Sequence, residues 1–462
     1  MRARMRACLR PRPSARAAAL LTVCLTAAAP AGAQGLAARV AAAEGAATVR
    51  FAARAAACGD GRGLVAVGEV MSVDGAVFGR GWSRGDGSDR CVPGPARVTL
   101  TVRGGVVRGL RLQVGPVSPA GTDAGRDLGT VGAPDAAAYF VALAGQGGLP
   151  ARDAAQTVAA AAVADSADVW RPLLALARRP AADDAGDASH DEPRDGGARV
   201  ARAAMHWLGA VAPPAAVPTF AALLRDSAER RVVREGAAQV LAQADDGAGV
   251  PALAAAARGE RAAGGADPWV RERAVFWLGT ADDTRARATL RALAAADTAD
   301  VQVRGRAIFA IGHLGGRRAD DAGNVAFLRA LYPRLSSGRL RDGVVQSVAQ
   351  SDDPAAGRWL LGLAADAAQP LEARKRALFW AGQQRAGRVD ELVALDARLE
   401  GSELRRHYTF VLSQRPEDAA VDRLIAIARG DADRAVRHQA IFWLGQSRSA
   451  RARAYLESVV AQ

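Results

Sequence analysis

VRERAVFWLG, running from Val270 to Gly279, decides how this chain folds, because the chain repeats it. Clear copies are VARAAMHWLG (Val200 to Gly209), VRGRAIFAIG (Val303 to Gly312), ARKRALFWAG (Ala373 to Gly382) and VRHQAIFWLG (Val436 to Gly445). Worn copies are VREGAAQVLA (Val233 to Ala242), LRDGVVQSVA (Leu340 to Ala349) and LRRHYTFVLS (Leu404 to Ser413). Successive copies start 33, 37, 33, 37, 33, 31 and 32 residues apart. One helical motif at such a period marks a solenoid: a single hairpin of helices cannot cover its own apolar face, so neighbours stack. In the quoted copy Val270, Ala274 and Trp277 fall at i, i+4 and i+7, which predicts one buried stripe. Asp267 and Pro268 ahead of it read as an N-cap and a first helical residue, and Gly279 as the stop.

Each copy is the second helix of a hairpin, and the apolar run before it is the first. Those first helices are expected over Ala216 to Leu224, Val250 to Ala257, Ala286 to Leu293, Val325 to Leu335, Ala355 to Leu363, Val389 to Leu399 and Ala419 to Ala428. A last helix, Ala450 to Val460, closes the stack. Helices begin near Pro134, with Ala151 to Ala164 and Asp168 to Arg178 following. Residues 180–197, PAADDAGDASHDEPRDGG, hold no apolar residue beyond alanine and are expected as a disordered acidic loop.

Ahead of the helices the texture changes. Ala47 to Ala53 and Leu64 to Val73 read as strands. Val98, Leu100 and Val102 alternate up to Gly104-Gly105, and Leu110, Leu112 and Val114 alternate beyond it. That pattern predicts a tight hairpin on two glycines. Gly79 to Pro95 reads as a loop. Residues 34–130 are therefore expected as a small antiparallel β domain, and 131–462 as the helical array. The fold class is mainly α.

The first 33 residues are a separate matter. Six arginines without an acid, an apolar stretch AAALLTVCLTAAA, and Ala31-Gly32-Ala33 have the three-part layout of a secretory signal peptide cut after Ala33. The apolar stretch is too short to remain as a spanning helix, and no later segment of the mature chain could span a bilayer. Without those six arginines the formal charge of +13 falls to +7, and Lys375 is the sole lysine. Such a charge is no footprint for nucleic acid. Cys58 and Cys91 are the two cysteines left, and export to a periplasmic or extracellular space predicts a disulfide between them. Closing that loop is worth about 3–4 kcal/mol in the chain-entropy model.

The inter-helix aspartates Asp226, Asp297 and Asp431, the Val-Arg that follows (Val233-Arg234, Val303-Arg304, Val436-Arg437) and the apolar helix ending in Leu-Gly resemble HEAT repeats. The match is to the shorter bacterial kind called PBS-lyase-like HEAT repeats, from about Pro134 to Gln462. The resemblance implies an α-solenoid, a scaffold that binds another macromolecule, and an arginine paired with the turn aspartate.

Three sets of residues invite a functional reading. Arg234, Arg271, Arg304, Arg341, Arg374, Arg405 and Arg437 recur just after the first motif residue, either as a cationic ladder for a partner or as structural pairs. Trp207, Trp277, Trp380 and Trp443 recur at one position and are expected as core between repeats. Gly81-Trp82-Ser83-Arg84-Gly85 spells G-x-S-x-G, but in a loop with no histidine before His190 it is a chance match. No His-Glu pair occurs, which excludes an H-E-x-x-H zinc helix and the His-Glu iron motifs of HEAT-repeat deoxyhypusine hydroxylases. The acidic loop with His190 lacks ordered ligand spacing.

The expectation is a non-enzymatic, exported scaffold with a protein partner and no cofactor, metal or nucleic acid. The rival is an enzyme similar to the bilin lyases, which share these repeats and act on a tetrapyrrole.

Overall fold

The computed structural model describes residues 31–461 apart from 69, 79–90, 117–124, 167, 181–195, 262–266, 298, 316–320, 352 and 385–388. The leader through residue 30, the G-x-S-x-G stretch and nearly all of the acidic loop lie outside the described residues.

The chain opens with helix α1 (Ala31–Ala41), whose Leu36 and Val40 are buried. Strands β1 (Gly45–Phe51), β2 (Ala57–Gly59), β3 (Leu64–Val67), β4 (Val70–Val73), β5 (Ala76–Phe78), β6 (Val92–Pro93), β7 (Ala96–Arg103), β8 (Val106–Val114) and β9 (Arg126–Thr130) follow. They form two sheets, ordered β8-β7-β1-β9 and β5-β4-β3-β2-β6. All pairs are antiparallel except β1 with β9, which is parallel, so the first sheet is mixed where an antiparallel one was expected. The β7–β8 hairpin turns on Gly104 and Gly105 at φ 56° and 71°, the two left-handed positions that a tight hairpin turn demands. The expected single strand over Leu64 to Val73 is instead a hairpin that turns at Gly68, φ 59°. Cys58 and Cys91 are disulfide-bonded, joining β2 to the start of β6.

Helices take over with α2 (Ala133–Gln146) and α3 (Ala151–Val163). From there they alternate: α4 (Trp170–Ala177) and α5 (Gly196–Val211), α6 (Val217–Arg225) and α7 (Arg231–Gln243), α8 (Val250–Arg258) and α9 (Pro268–Leu278), α10 (Thr284–Ala295) and α11 (Val301–Gly315). The series continues with α12 (Asp321–Leu331) and α13 (Gly338–Ala349), α14 (Pro354–Ala365) and α15 (Leu371–Gln383), α16 (Val389–Ala394) and α17 (Ser402–Ser413), α18 (Asp418–Gly430) and α19 (Arg434–Gln446), and it closes on α20 (Ala450–Val460). Every motif copy lies on the second helix of its pair, and second helices pack against second helices along the array. The architecture is an α-solenoid of HEAT-like helical hairpins preceded by a small, mainly antiparallel sheet region.

Three local devices fix the stacking. Asp267 caps α9 by accepting from Trp269 N at 2.9 Å, and Asp433 caps α19 by accepting from Ala435 N at 2.7 Å. The stripe of α9 that enters the core is Val270, Ala274, Val275 and Leu278. The motif's final glycine does not work as a left-handed stop. Gly279 has helical dihedrals, φ −64° and ψ −22°, and a methyl on it would meet Ala310 Cβ of α11 at 2.9 Å. Gly312 and Gly382 face Ser347 and Val411 of the following second helix in the same way, whereas Gly445, with no following copy, meets nothing. The glycine is there to let second helices approach closely.

Candidate protein-binding face

The recurrent arginines point back into their own hairpins. Nε of Arg234, Arg304 and Arg374 donates to the carbonyls of Leu224, Ala294 and Ala364, at 3.2, 3.2 and 2.9 Å. Each acceptor is the next-to-last residue of the preceding first helix, whose final carbonyls lack helical donors and carry the negative end of the helix dipole. Arg341 Nε donates to Leu335 O at 2.7 Å and Arg437 Nη1 to Asp431 O at 2.5 Å, in both cases to the residue that follows the helical segment. The aspartate pairing is only partly the one that the resemblance implies. Arg304 pairs with Asp297 of its own turn at 3.2 Å, but Arg234 reaches Asp267 of the next repeat at 2.6 Å. Arg405 likewise reaches forward to Asp431 and also meets Asp396. Arg271 lies against Gly259, the left-handed C-cap of α8.

The tryptophans divide. Trp207 is wholly buried. Trp277, Trp380 and Trp443 are only half-buried, at the margin of the core and not within it as expected. Their neighbours one residue back are the more informative side chains. Phe276, Phe309 and Phe442 are 45%, 47% and 52% exposed, and Phe379 and Phe410 are half-buried beside them. All five occupy the seventh motif position. The rings make a strip: Phe379 and Phe410 lie parallel with centroids 6.5 Å apart, and Phe410 meets Trp443 at 5.3 Å. Each phenylalanine but Phe309 and Phe410 also sits edge-on to the tryptophan that follows it.

Around the strip, charges pair from one second helix to the next. Arg273 meets Glu235 at 3.6 Å, Arg306 meets Glu272 at 2.7 Å, and Arg376 meets Asp342. Lys375 bridges Glu372 and Glu403 at 3.0 and 2.9 Å. Its hydrogen bond to Glu403, then that to Glu372, raises the ammonium above its usual pKa, and the same bond lowers Glu403. Glu235 also accepts from Trp277 Nε1 at 3.1 Å, and the Arg273 guanidinium lies 5.6 Å from the Phe276 ring. The result is a row of rings between paired, mutually neutralising groups.

At its N-terminal end the same face is covered by the chain itself. Helix α3 is buried almost all round, because β7 and β8 pack on the side that later helices expose. Gln156 Oε1 accepts from Leu112 N at 2.9 Å and Asp153 from Leu110 N at 3.3 Å, closing the β8 edge against further pairing. Arg152 pairs with Asp74 at 2.7 Å. On α5 the seventh motif position is His206, 4% exposed. Its Nε2 donates to the Met71 carbonyl of β4 at 3.2 Å, which leaves Nδ1 to accept from Gln239 Nε2 at 3.1 Å. Burial pushes its pKa down to about 4.

Sequence reading picked out Val270, Ala274 and Trp277 as the buried stripe and passed over the phenylalanines. A signal was available: the residue four before each is Glu272, Gly305, Lys375, Arg406 or His438, so position seven belongs to the polar side of the helix. Among the described residues no three His, Cys, Asp or Glu side chains gather as a metal site, and no helix is long and apolar enough to cross a membrane.

The geometry is that of an α-solenoid with a ring-studded second-helix face. No family model matches the chain, and no curated protein does. Among solved structures, human deoxyhypusine hydroxylase is similar at 20% identity over 54% of this chain and 91% of its own, TM-score 0.26. Kap95p, in a structure with RanGDP, is similar at 11% over 70% of this chain and 45% of its own, TM-score 0.37. The CpcE–CpcF phycocyanin lyase complex of Nostoc sp. PCC7120 is similar at 18% over 57% and 98%, TM-score 0.24. The chain thus spans less than half of the Kap95p chain but nearly all of the lyase chain.

Proposed function

We propose that the protein is a non-enzymatic scaffold, exported from the cytoplasm, that holds a protein partner on the second-helix face of its solenoid. The observation that carries the reading is the row of Phe276, Phe309, Phe379, Phe410 and Phe442 at one motif position, continuous from Phe379 through Phe410 and Trp443 to Phe442. Contiguous exposed apolar surface marks interaction sites, and aromatic residues concentrate at their energetic centres. Pairing between neighbouring helices holds these rings in place before any partner arrives, so little freedom is lost on binding. Export is supported by the leader-like first 33 residues and by the Cys58–Cys91 disulfide, a bond that persists in oxidising compartments.

Two measurements test the reading. Fractionation with N-terminal sequencing is expected to find the protein in the cell envelope or medium, beginning at Gln34; an uncut cytosolic chain rejects export. A pull-down compares the parent with a Phe379→Ala/Phe410→Ala/Phe442→Ala variant checked by circular dichroism. The parent is expected to retain a protein that the folded variant loses. Equal capture by both removes this face from the function.

A further inference from the structure

Every motif helix but the last is covered on its trailing side, the side turned toward the next repeat, by the second helix that follows. The sixth motif residue records the difference. It is buried in all seven earlier copies, from Met205 on α5 through Val275, Ile308 and Leu378 to Thr409 on α17, whereas Ile441 on α19 is only half-buried. The tenth residue agrees. Gly279, Gly312 and Gly382 lie against the eighth motif residue of the next helix, Ala310, Ser347 and Val411, while Gly445 is exposed with nothing beside it. Ile441 and Gly445 stand four positions apart and so share one side of α19. Phe442, exposed between them, joins that side to the end of the ring row.

The occupied seats define what fits the open one. Each takes an α-helix with a small residue, alanine, serine or valine, over the glycine. The third motif residue reaches forward to that helix: Glu272 to Arg306, Asp342 to Arg376, and Lys375 to Glu403. Helix α15, with Lys375 third and Gly382 tenth, is the copy most like α19, with His438 third and Gly445 tenth, and the helix seated on α15 answers with an acid.

Charge points the same way. After Asp433, the cap of α19, the chain carries five arginines and one acid, Glu457. Arg437 is held by Asp431 O, and Arg451 by Asp418 and Asp422 of α18. Arg453 lies about 200° round α20 from Arg451, which puts it on the open side. Arg448 and Arg453 are both exposed, and neither has an ion pair or hydrogen bond among the described residues. A second copy of this chain offers no match. Its second helices have their leading sides on the helix before, α3 lies under β7 and β8, and its free end carries the same arginines.

We propose that the trailing side of α19, with the open side of α20, seats an acidic amphipathic α-helix of the partner, added to the array as a further second helix would be; the inference rests on the protein-binding reading above and names the partner's element. That helix carries a small residue over Gly445, an aliphatic one against Ile441, and carboxylates toward Arg448 and Arg453, whose guanidinium groups match them in geometry. Its apolar stripe meets the end of the array as each internal helix meets the one before.

The test titrates the full-length protein by calorimetry with two twenty-residue amphipathic peptides that share one stripe of leucine and alanine. One has glutamate at its polar positions and the other lysine. The glutamate peptide is expected to bind at least tenfold more tightly than the lysine peptide. Gly445→Gln meets open space in the free protein, so its melting temperature is expected to equal or exceed the parent's. Its side chain fills the seat, and affinity for the glutamate peptide is expected to fall at least tenfold. If Gly445→Gln misfolds, Gly445→Ala is expected to lose several-fold. Arg448→Gln/Arg453→Gln is expected to lose several-fold, by less as salt is raised. Absent binding, equal binding of both peptides, or affinity unchanged in the folded variants overturns the proposal. A parent that sediments as a dimer, and a Gly445→Gln variant that does not, overturns it in favour of a second copy. If the glutamate peptide fails while the pull-down still shows a partner lost on the triple phenylalanine variant, this inference falls and the protein-binding reading stands. If the pull-down also shows no difference, both fall.

Discussion

Asp396 and Asp431, carboxylates from neighbouring repeats and both almost wholly buried, share one guanidinium, that of Arg405. Arg423 completes the set by pairing with Asp396, and Tyr408 packs into it with its hydroxyl donating to Leu392 O at 3.0 Å. The two acids and two bases balance. Burial, then the Asp396 carboxylate, raises the Tyr408 phenol above its ordinary value.

Removing one member leaves buried charge without its counter-ion. Asp396→Asn is expected to cost about 3 kcal/mol, since breaking a buried pair is far more damaging than the pair is stabilising. Urea unfolding of parent and variant measures it. A loss below about 0.5 kcal/mol would place the cluster among solvated surface pairs.

The glycine that ends each motif makes a graded prediction. Gly312→Ala puts a methyl against the backbone and side chain of Ser347 and is expected to destabilise by about 1–3 kcal/mol. Gly445→Ala meets open space within the last turn of α19 and is expected to stabilise by up to about 1 kcal/mol, the helix preference of alanine over glycine. Thermal melts of the two variants should move in opposite directions.

His206 predicts acid sensitivity at the seam between β4 and α5. Its folded pKa of about 4 lies below its unfolded value near 6.5, so the unfolded chain binds more protons between them. Its contribution is therefore complete above about pH 6.5 and is lost as pH falls toward about 4, on the order of 3 kcal/mol in all. His206→Gln, which keeps an amide donor for Met71 O and does not titrate, should flatten this part of the stability–pH profile. A parallel profile would remove His206 as the cause.

The tryptophans should not behave alike. Trp207→Ala opens a cavity in the core and is expected to cost about 3–5 kcal/mol. Trp443→Ala, half-buried at the end of the strip, is expected to cost about 1–2 kcal/mol, in keeping with the smaller area returned to water. Denaturant midpoints for the pair provide the check.

The array was legible because a 3.6-residue pattern repeated eight times leaves little freedom in where helices begin and which helix follows which. Ala450–Val460 falls where the apolar spacing puts it. The Gly104-Gly105 hairpin was legible because two adjacent positive-φ residues have few other uses. What escaped was relational. Phe276 and Trp277 are both apolar and adjacent, and 100° of rotation leaves the first exposed and the second half-buried, its indole N–H donating to Glu235 of a different helix. Gly279 reads as a helix stop, yet its reason is Ala310, thirty-one positions on. The hairpin within Leu64 to Val73 was hidden because a glycine turn between short apolar runs resembles one longer strand. Helix α3, alanine-rich on every side, carried the mark of a helix covered all round, but nothing local says that a sheet is the cover.

That cover gives the molecule a direction. Arginine caps, glycine seats and ion-pair rungs each join a repeat only to those beside it, so a hairpin duplicated or deleted between α9 and α19 disturbs nothing beyond the splice. Ahead of α7 the same event would slide α3 and α5 out from under β8 and β4. Duplication or deletion of a repeat can therefore lengthen or shorten this chain only on one side of that seam, and the reach of the strip is free to evolve while its starting point stays fixed.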